Sequence, residues 1–514
     1  MNILLSLIIF LPIIGVLLLS IINKNNEKLI KLVGFFATLP SLILLLLLVG
    51  KTYMEGAVSS FQEKINWIQI GNFSNGSEIF YEINYELGID GLSLAMMTLT
   101  AILSTVASLI SWHISKEWRG YYQLFLLLVT GMLGLFAAEN FILFFLFFEI
   151  TLITTFFLIG KWGNFAKEKA AYQFLIYNGL GSLILLIVIV TLFARTGTSN
   201  FDSLQFLLNV NEENVLINEI TTFGKWALLI ALIVALGIKL PIVPFHSWMV
   251  HVHKEAHPAV VMIHSGILLK IGAYGLIRVG MGIFPNEWKS ASLAIGILGV
   301  INILYGAFLA LQQKNLRTVW AYSSVSHMGF VLVGLAVLNE AGVQGAIFQT
   351  VSHGFISAFL FMLVSIFYNT YKTTELQELG GTAAKTPILS GLLLIGGLSA
   401  LGLPGTSGFI SEFTVILGAL NEYIVLGILA AIALVFTAAY TLRAVLMITY
   451  GEQSAIVSGI DQTVNGSKRS QLRGFEWLSS IVFLLFIIAL GVYPDLLTDV
   501  ISDTVAKTII GLGG

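Results

Sequence analysis

Several ionisable side chains stand inside apolar sequence, where no water is at hand to solvate them. Glu149 lies in Phe147-Phe148-Glu149-Ile150-Thr151, Lys239 in Gly237-Ile238-Lys239-Leu240-Pro241, and Lys270 at the end of Gly266-Ile267-Leu268-Leu269-Lys270. A charge of this kind costs about 2.5 to 3.5 kcal/mol at a bilayer centre on insertion scales, so a functional role is the default expectation. The plainer alternatives are a packing carboxylate at Glu149 and a lysine snorkelling to the interface at Lys239. Against snorkelling, Pro241 removes a backbone donor and frees carbonyls beside the ammonium, and interrupted helices inside membranes mark ion or substrate sites. Lys270 is followed by Ile271-Gly272-Ala273-Tyr274-Gly275 and has no water-facing end within reach. A lysine able to exist both charged and uncharged is what a proton relay needs.

His327 follows Ser323 and Ser324 at helical spacing, and His353 follows Gln349 by four residues, so each histidine sits on a polar stripe of an apolar helix. A lone histidine there is commonly a structural hydrogen-bonder. Two on consecutive spans, each with hydroxyl or amide neighbours, suit a proton path. Glu412 comes just after Gly402-Leu403-Pro404-Gly405, a second predicted helix break, so Pro241 and Pro404 mark two interruptions. Arg443 lies near the end of its run and is expected to snorkel towards the basic side.

These groups must be held by membrane helices. The 514 residues are 57% hydrophobic and only 11% charged, and the mean hydropathy is +0.91. That composition excludes an ordinary soluble protein. Apolar runs of span length begin near Asn2, Ile30, Gly88, Tyr121, Phe141, Ala170, Phe223, Val260, Ala291, Val319, Val343, Ile388, Tyr423 and Leu478. They predict an all-α polytopic membrane protein of about 14 transmembrane helices. No basic residue precedes the first run, so it reads as a permanent span and not a cleaved signal. Dividing Lys and Arg over alternate loops gives sixteen on one side and seven on the other, with Lys239, Lys270 and Arg443 left inside spans. The positive side stays cytoplasmic, which places both termini outside in a cell inner or plasma membrane. Two longer polar connections, from about Lys51 to Tyr85 and from about Arg195 to Thr222, fall on the outer side and are expected to form a solvated cap, with room for a hairpin.

Zero cysteines exclude disulfides, thiolate-held iron–sulfur clusters, Cys-ligated zinc and covalently attached haem c. A net charge of −2 and the lack of a Walker-type loop point away from nucleic acid and nucleotide phosphate. Lys239 to Lys270 and Glu412 to Arg443 are both 31 residues apart, while Glu149 to Lys239 and His327 to Glu412 span 90 and 85. This suggests two five-helix units, at 121–280 and 290–450, each with a broken fourth helix, between an N-terminal part at 1–120 and a final loop and helix at 451–514.

At these residues the chain resembles the antiporter-like membrane subunits of proton-pumping NADH:quinone oxidoreductase (respiratory complex I), most closely the M subunit, and their relatives in multisubunit Na⁺/H⁺ antiporters. The resemblance rests on Phe148-Glu149, Lys239 to Trp248, Gly266 to Lys270 with Tyr274-Gly275, Ala321 to Gly329, and Gly402 to Gly405 with Glu412-Phe413. It implies a 14-helix fold with two inverted five-helix repeats. It also implies a Glu149–Lys239 pair and a path through Lys270, His327 and His353 to Glu412, whose acidic type favours the M subunit over relatives with lysine there. No redox group or metal would be held in this chain; NADH, FMN, iron–sulfur clusters and quinone would belong to partners. Those partners would include L-like and N-like antiporter subunits and small membrane subunits, all within the lipid bilayer. The long lateral helix of the L type is not expected after the last span. After Trp248 it departs from the family pattern, with Met249-Val250-His251-Val252-His253 replacing a Pro-Asp pair and with His257 and His264 added. His251, His253 and His257 could also be read as a metal cluster, and His327 with His353 as haem or quinone ligands; both readings are secondary to a Glu/Lys/His proton relay. The competing function is a subunit of a gradient-driven Na⁺/H⁺ antiporter.

Overall fold

The computed structural model describes residues 3–55, 61–70, 81–209, 220–459, 463–464, 467–468 and 472–512. Parts of both outer connections and of the loop after Tyr450 lie outside these residues. Helices α1 (Leu4–Ile21), α2 (Glu27–Phe36) and α3 (Leu39–Glu55) precede an antiparallel hairpin of β1 (Gln62–Ile70) and β2 (Tyr81–Gly88). Next come α4 (Gly91–Ile110), α5 (Trp118–Ala137), α6 (Phe141–Trp162), α7 (Lys167–Thr196), the short α8 (Phe201–Asn209), α9 (Thr222–Lys239) and α10 (Ser247–Glu255). One span is composite: α11 (Pro258–Ile263), a π-helical turn at His264–Leu268, α12 (Lys270–Gly275) and a second π-helical turn at Leu276–Met281. The chain continues through α13 (Pro285–Gln312), α14 (Leu316–Ala336), α15 (Glu340–Tyr371), α16 (Pro387–Ala400), α17 (Ser407–Glu422) and α18 (Ile424–Tyr450). It closes with α19 (Ala455–Ser458), β3 (Thr463–Val464), β4 (Ser467–Lys468), α20 (Gly474–Val492) and α21 (Asp495–Gly511).

Among the described residues, thirteen helical segments are long and apolar enough to cross a membrane. The remaining predicted span, begun at Ile388, is the interrupted pair α16 and α17, each half too short to cross alone. The start signals are local: Asn26, Asp90, Asn140, Asn315 and Asn339 each accept a backbone amide of the first turn of the helix that follows. The composite span Pro258–Met281 and α15 are buried along their apolar windows, whereas α1, α7, α18 and α20 leave most of theirs uncovered. Apolar side chains such as Ile176, Leu183, Ile187 and Val190 on α7 therefore face outward, as lipid-facing helices require. This is a multi-pass membrane protein whose central helices carry the buried charges.

The cap expected on the outer side differs from a simply solvated one. The expected hairpin is present, but Glu63, Asn84 and Glu86 on it are buried. Glu63 receives Leu5 N–H at 2.7 Å and Ser6 Oγ–H at 2.5 Å, placing a carboxylate on the N-terminus of α1. Helices α8 and α21, which apolar run length did not reveal, also belong to this region. Thr504 of α21 accepts Gly91 N–H at 3.1 Å and so fastens the last helix to the start of α4.

Candidate functional site: a buried chain of ionisable groups

The first break sits where Pro241 interrupts the span. α9 ends at Lys239 and α10 resumes at Ser247, and the intervening backbone is satisfied by Ile242 N–H to Gly237 O at 2.8 Å and Trp248 Nε1–H to Ile238 O at 3.2 Å. Asn302 of α13 pins it from outside: its Oδ1 accepts Val243 N–H at 2.7 Å and its Nδ2 donates to Val325 O at 2.9 Å. Lys239 is thereby held buried, with Nζ 4.7 Å from the Phe148 ring centre and, among the described residues, no hydrogen-bond partner. Glu149, half-buried, accepts a hydrogen bond from Ser182 and acts on Lys239 through Coulombic attraction, without the direct contact that a tight pair would make.

Lys270 lies between the two π-helical turns, a geometry frequent at functional sites. It is fully buried and donates to Ser265 O, and its Nζ is 2.7 Å from His353 Nδ1. His353 and His327 rings are 5.2 Å apart between centres, and His327 Nδ1 is 2.9 Å from Glu412 Oε1. Gln349 Nε2 stands 3.3 Å from the same His327 nitrogen, and Gln349 Oε1 accepts the Ser411 hydroxyl. Two small cavities of about 10 Å³ flank the imidazoles, one also lined by Glu412 and Gln349, the other by Ser323 and Ser324. That is about the smallest space that accepts a water molecule. Lys270, His353, His327 and Glu412 thus form one buried line.

The second break, at 401–406, positions Glu412. Gly402 and Gly405 have φ of +77° and +93°, a region open to glycine, and Pro404 prevents the helix from continuing. An added Cβ on Gly402 would lie 2.7 Å from Glu412 Oε2, so the absence of a side chain is what lets the carboxylate approach.

The loop histidines separate in three directions. His251 is exposed and hydrogen-bonds the Ser247 carbonyl at 2.9 Å. His257 accepts Ala259 N–H at 3.3 Å as the cap of α11. His253 is buried with its Nε2 2.9 Å from Nδ1 of His264. They do not converge on a metal. Arg443, although exposed as expected of a snorkelling residue, points its guanidinium at Leu311 O (2.8 Å) and Gln313 O (3.1 Å), where it caps α13. Sequence reading also placed Arg317 among loop charges. It is buried, and donates to Lys254 O and Ala256 O at 3.1 Å each, closing the end of α10. Asn302 and Ser182 were missed as well; a polar residue inside an apolar span was the available signal for both.

An α-helical membrane protein with two broken spans and a buried row of Lys, His and Glu belongs to the class of antiporter-like ion-translocating subunits. The family model described as "NADH:quinone oxidoreductase/Mrp antiporter, TM" matches residues 138–438. The chain is 34% identical over 513 residues to the NADH-quinone oxidoreductase subunit M of Rickettsia prowazekii, covering 98% of each protein. It is 33% identical over 522 residues to an NAD(P)H-quinone oxidoreductase chain 4 of Microcystis aeruginosa, covering 96% of this chain and 91% of that protein. A chain of respiratory complex I from Thermus thermophilus superposes with a TM-score of 0.81 at 26% identity, over 99% of this chain and 100% of that one. A chain of the Mrp complex of Dietzia sp. DQ12-45-1b has the same fold, with a TM-score of 0.81 at 20% identity over 100% of both. The protein is a member of the NADH:quinone oxidoreductase/Mrp antiporter transmembrane family.

Proposed function

We propose that this chain is the M-type, proton-translocating membrane subunit of an NADH:quinone oxidoreductase. The observation that carries the reading is the buried line Lys270–His353–His327–Glu412, with Lys239 and Glu149 at its other end. Full-length similarity to proteins named subunit M and chain 4 supports the choice of complex. Weakening the attraction between Glu149 and Lys239 withdraws Coulombic support from the ammonium, and its proton moves inward towards Lys270. From there it passes through His353 and His327 to Glu412 and is released to the outer side.

This chain contributes the path and no redox centre. NADH, FMN, iron–sulfur clusters and quinone are bound by partner subunits, and L-like, N-like and small membrane subunits flank it in the bilayer. The two five-helix runs are read as inverted repeats, each presenting its broken helix to the central line. Lys239→Ala and Glu149→Ala should each abolish NADH-driven proton pumping in reconstituted complex while the chain still assembles. A normal gradient from fully assembled mutant complex overturns the reading. The alternative, a multisubunit Na⁺/H⁺ antiporter, is favoured by the shared fold with the Mrp chain. Purification of the native assembly separates the two: NADH-oxidising peripheral partners support the first, and membrane partners alone support the second.

A further inference from the structure

We infer that His253 and His264 form a two-imidazole proton bridge between Lys239 and Lys270; the inference rests on the relay reading above. The proposed line otherwise lacks a carrier between its two lysines. Lys239 Nζ has no hydrogen-bond partner among the described residues, and Lys270 is engaged with Ser265 and His353.

His253 and His264 come from opposite sides of the turn between α10 and α11, and both are buried. Their rings are nearly perpendicular, at 88° with centres 5.1 Å apart, which aims Nε2 of His253 at Nδ1 of His264 across 2.9 Å. The two remaining ring nitrogens, His253 Nδ1 and His264 Nε2, have no partner among the described residues. A pair kept only for packing would have reason to satisfy both ends, since a buried polar atom without a partner costs about 1 to 3 kcal/mol. Here the pair is bonded in the middle and open at both ends, as a transfer element must be.

Both imidazoles lie near the two lysines. His264 shares the Phe174 ring with Lys239: the imidazole centre is 5.9 Å and the ammonium 5.8 Å from it. His253 packs 5.0 Å from Phe361, on the same helix α15 that carries His353, the partner of Lys270. His264 lies within Coulombic range of both lysines, and His253 within range of Lys270.

The transfer balances as follows. At the start His264 carries its proton on Nδ1 and donates it to His253 Nε2, while His253 carries a proton on Nδ1. A proton leaving the Lys239 ammonium binds His264 Nε2, the Nδ1 proton crosses to His253 Nε2, and the His253 Nδ1 proton leaves for neutral Lys270. Lys239 ends neutral, Lys270 ends charged, and both imidazoles are neutral with their shared hydrogen bond reversed. Water carries the proton over the gaps at either end.

The test uses the whole oxidoreductase in proteoliposomes, with NADH-driven acidification followed by a pH-sensitive dye and subunit content by native gel. His264→Gln and His253→Gln keep a hydrogen-bonding side chain but remove the titratable ring. Each should lower the initial pumping rate by roughly a hundredfold or more, the range that loss of a positioned acid–base group produces. Pumping at the parental rate in an assembled Gln variant shows that the pair is structural and overturns the bridge. Failure of both Gln variants to assemble also counts against it, because packing would then be what the pair supplies. Lys239→Ala is the separate arm: if it pumps normally, the relay reading itself falls, whereas loss of pumping there with normal pumping in His264→Gln rejects the bridge alone.

Discussion

Glu412 depends on a residue that carries no side chain. Gly402 adopts φ of +77°, and its Cα lies so near the carboxylate that a methyl group would come within 2.7 Å of Oε2. Gly402→Ala should therefore destabilise the chain by about 1 to 2 kcal/mol through its left-handed backbone. It should also push Glu412 away from His327 and reduce pumping. Gly405→Ala is the control, because it shares the positive φ but meets nothing within 4 Å of an added Cβ. Thermal unfolding and pumping measured on both variants check this, and equal pumping in the two would show that the approach to Glu412 is unimportant. At this scale the sequence was informative about identity. Glu149, Lys239, Lys270, His327, His353 and Glu412 were all visible because charge and imidazole are costly in apolar spans. Their contacts were not, since Ser182, Gln349 and Ser411 meet side chains on helices distant in the chain.

The broken helix α9–α10 shows how an element is made functional from outside itself. Pro241 accounts for the interruption, but the path of the freed backbone is set by Asn302 on α13, which satisfies both Val243 N–H and Val325 O. Asn302→Leu leaves one buried donor and one buried acceptor without partners, at a cost of about 1 to 3 kcal/mol for each. A lowered unfolding temperature and a weakened pumping rate should appear together, because Lys239 ends the helix that this contact positions. An unchanged melting curve would show that the break holds its own shape. The elements were legible where period and length were decisive, as in the long apolar spans, and where proline and glycine punctuated them. Helices α8 and α21 escaped because neither is a long uniformly apolar run: one buries Phe201, Leu204 and Leu208, the other Leu497, Val500, Ile501, Thr504 and Val505. Only their tertiary neighbours show these faces to be buried.

Across the whole molecule, the distribution of Lys and Arg predicts a cytoplasmic side and an outer side. The absence of cysteine makes this directly testable, since any introduced thiol is unique. Lys289 and Lys169 are exposed at positions assigned to opposite sides. A membrane-impermeant maleimide applied to intact cells should label Lys289→Cys, whereas Lys169→Cys should react only after the membrane is opened. The reverse pattern would invert the topology and with it the direction of proton release. The fold arranges its burial to match: the span bearing Lys270 and the helix bearing His353 are the innermost, while α1, α7, α18 and α20 turn apolar side chains outward.

The order of residues along the chain is enough to establish that it crosses a membrane many times, where its helices break, and that Glu149, Lys239, Lys270, His327, His353 and Glu412 lie within apolar spans, but not that Arg317, His253 and His264 are buried. These follow from the cost of burying charge and from the fixed backbone chemistry of proline and glycine, which act over a few residues. Which of those residues meet is a matter of tertiary packing. The row Lys270–His353–His327–Glu412 joins four spans, and the conversion of a loop histidine cluster into a buried His253–His264 pair depends on how the chain turns between α10 and α11. Proton transfer works over hydrogen-bond distances, and helix packing, not spacing along the chain, sets those distances.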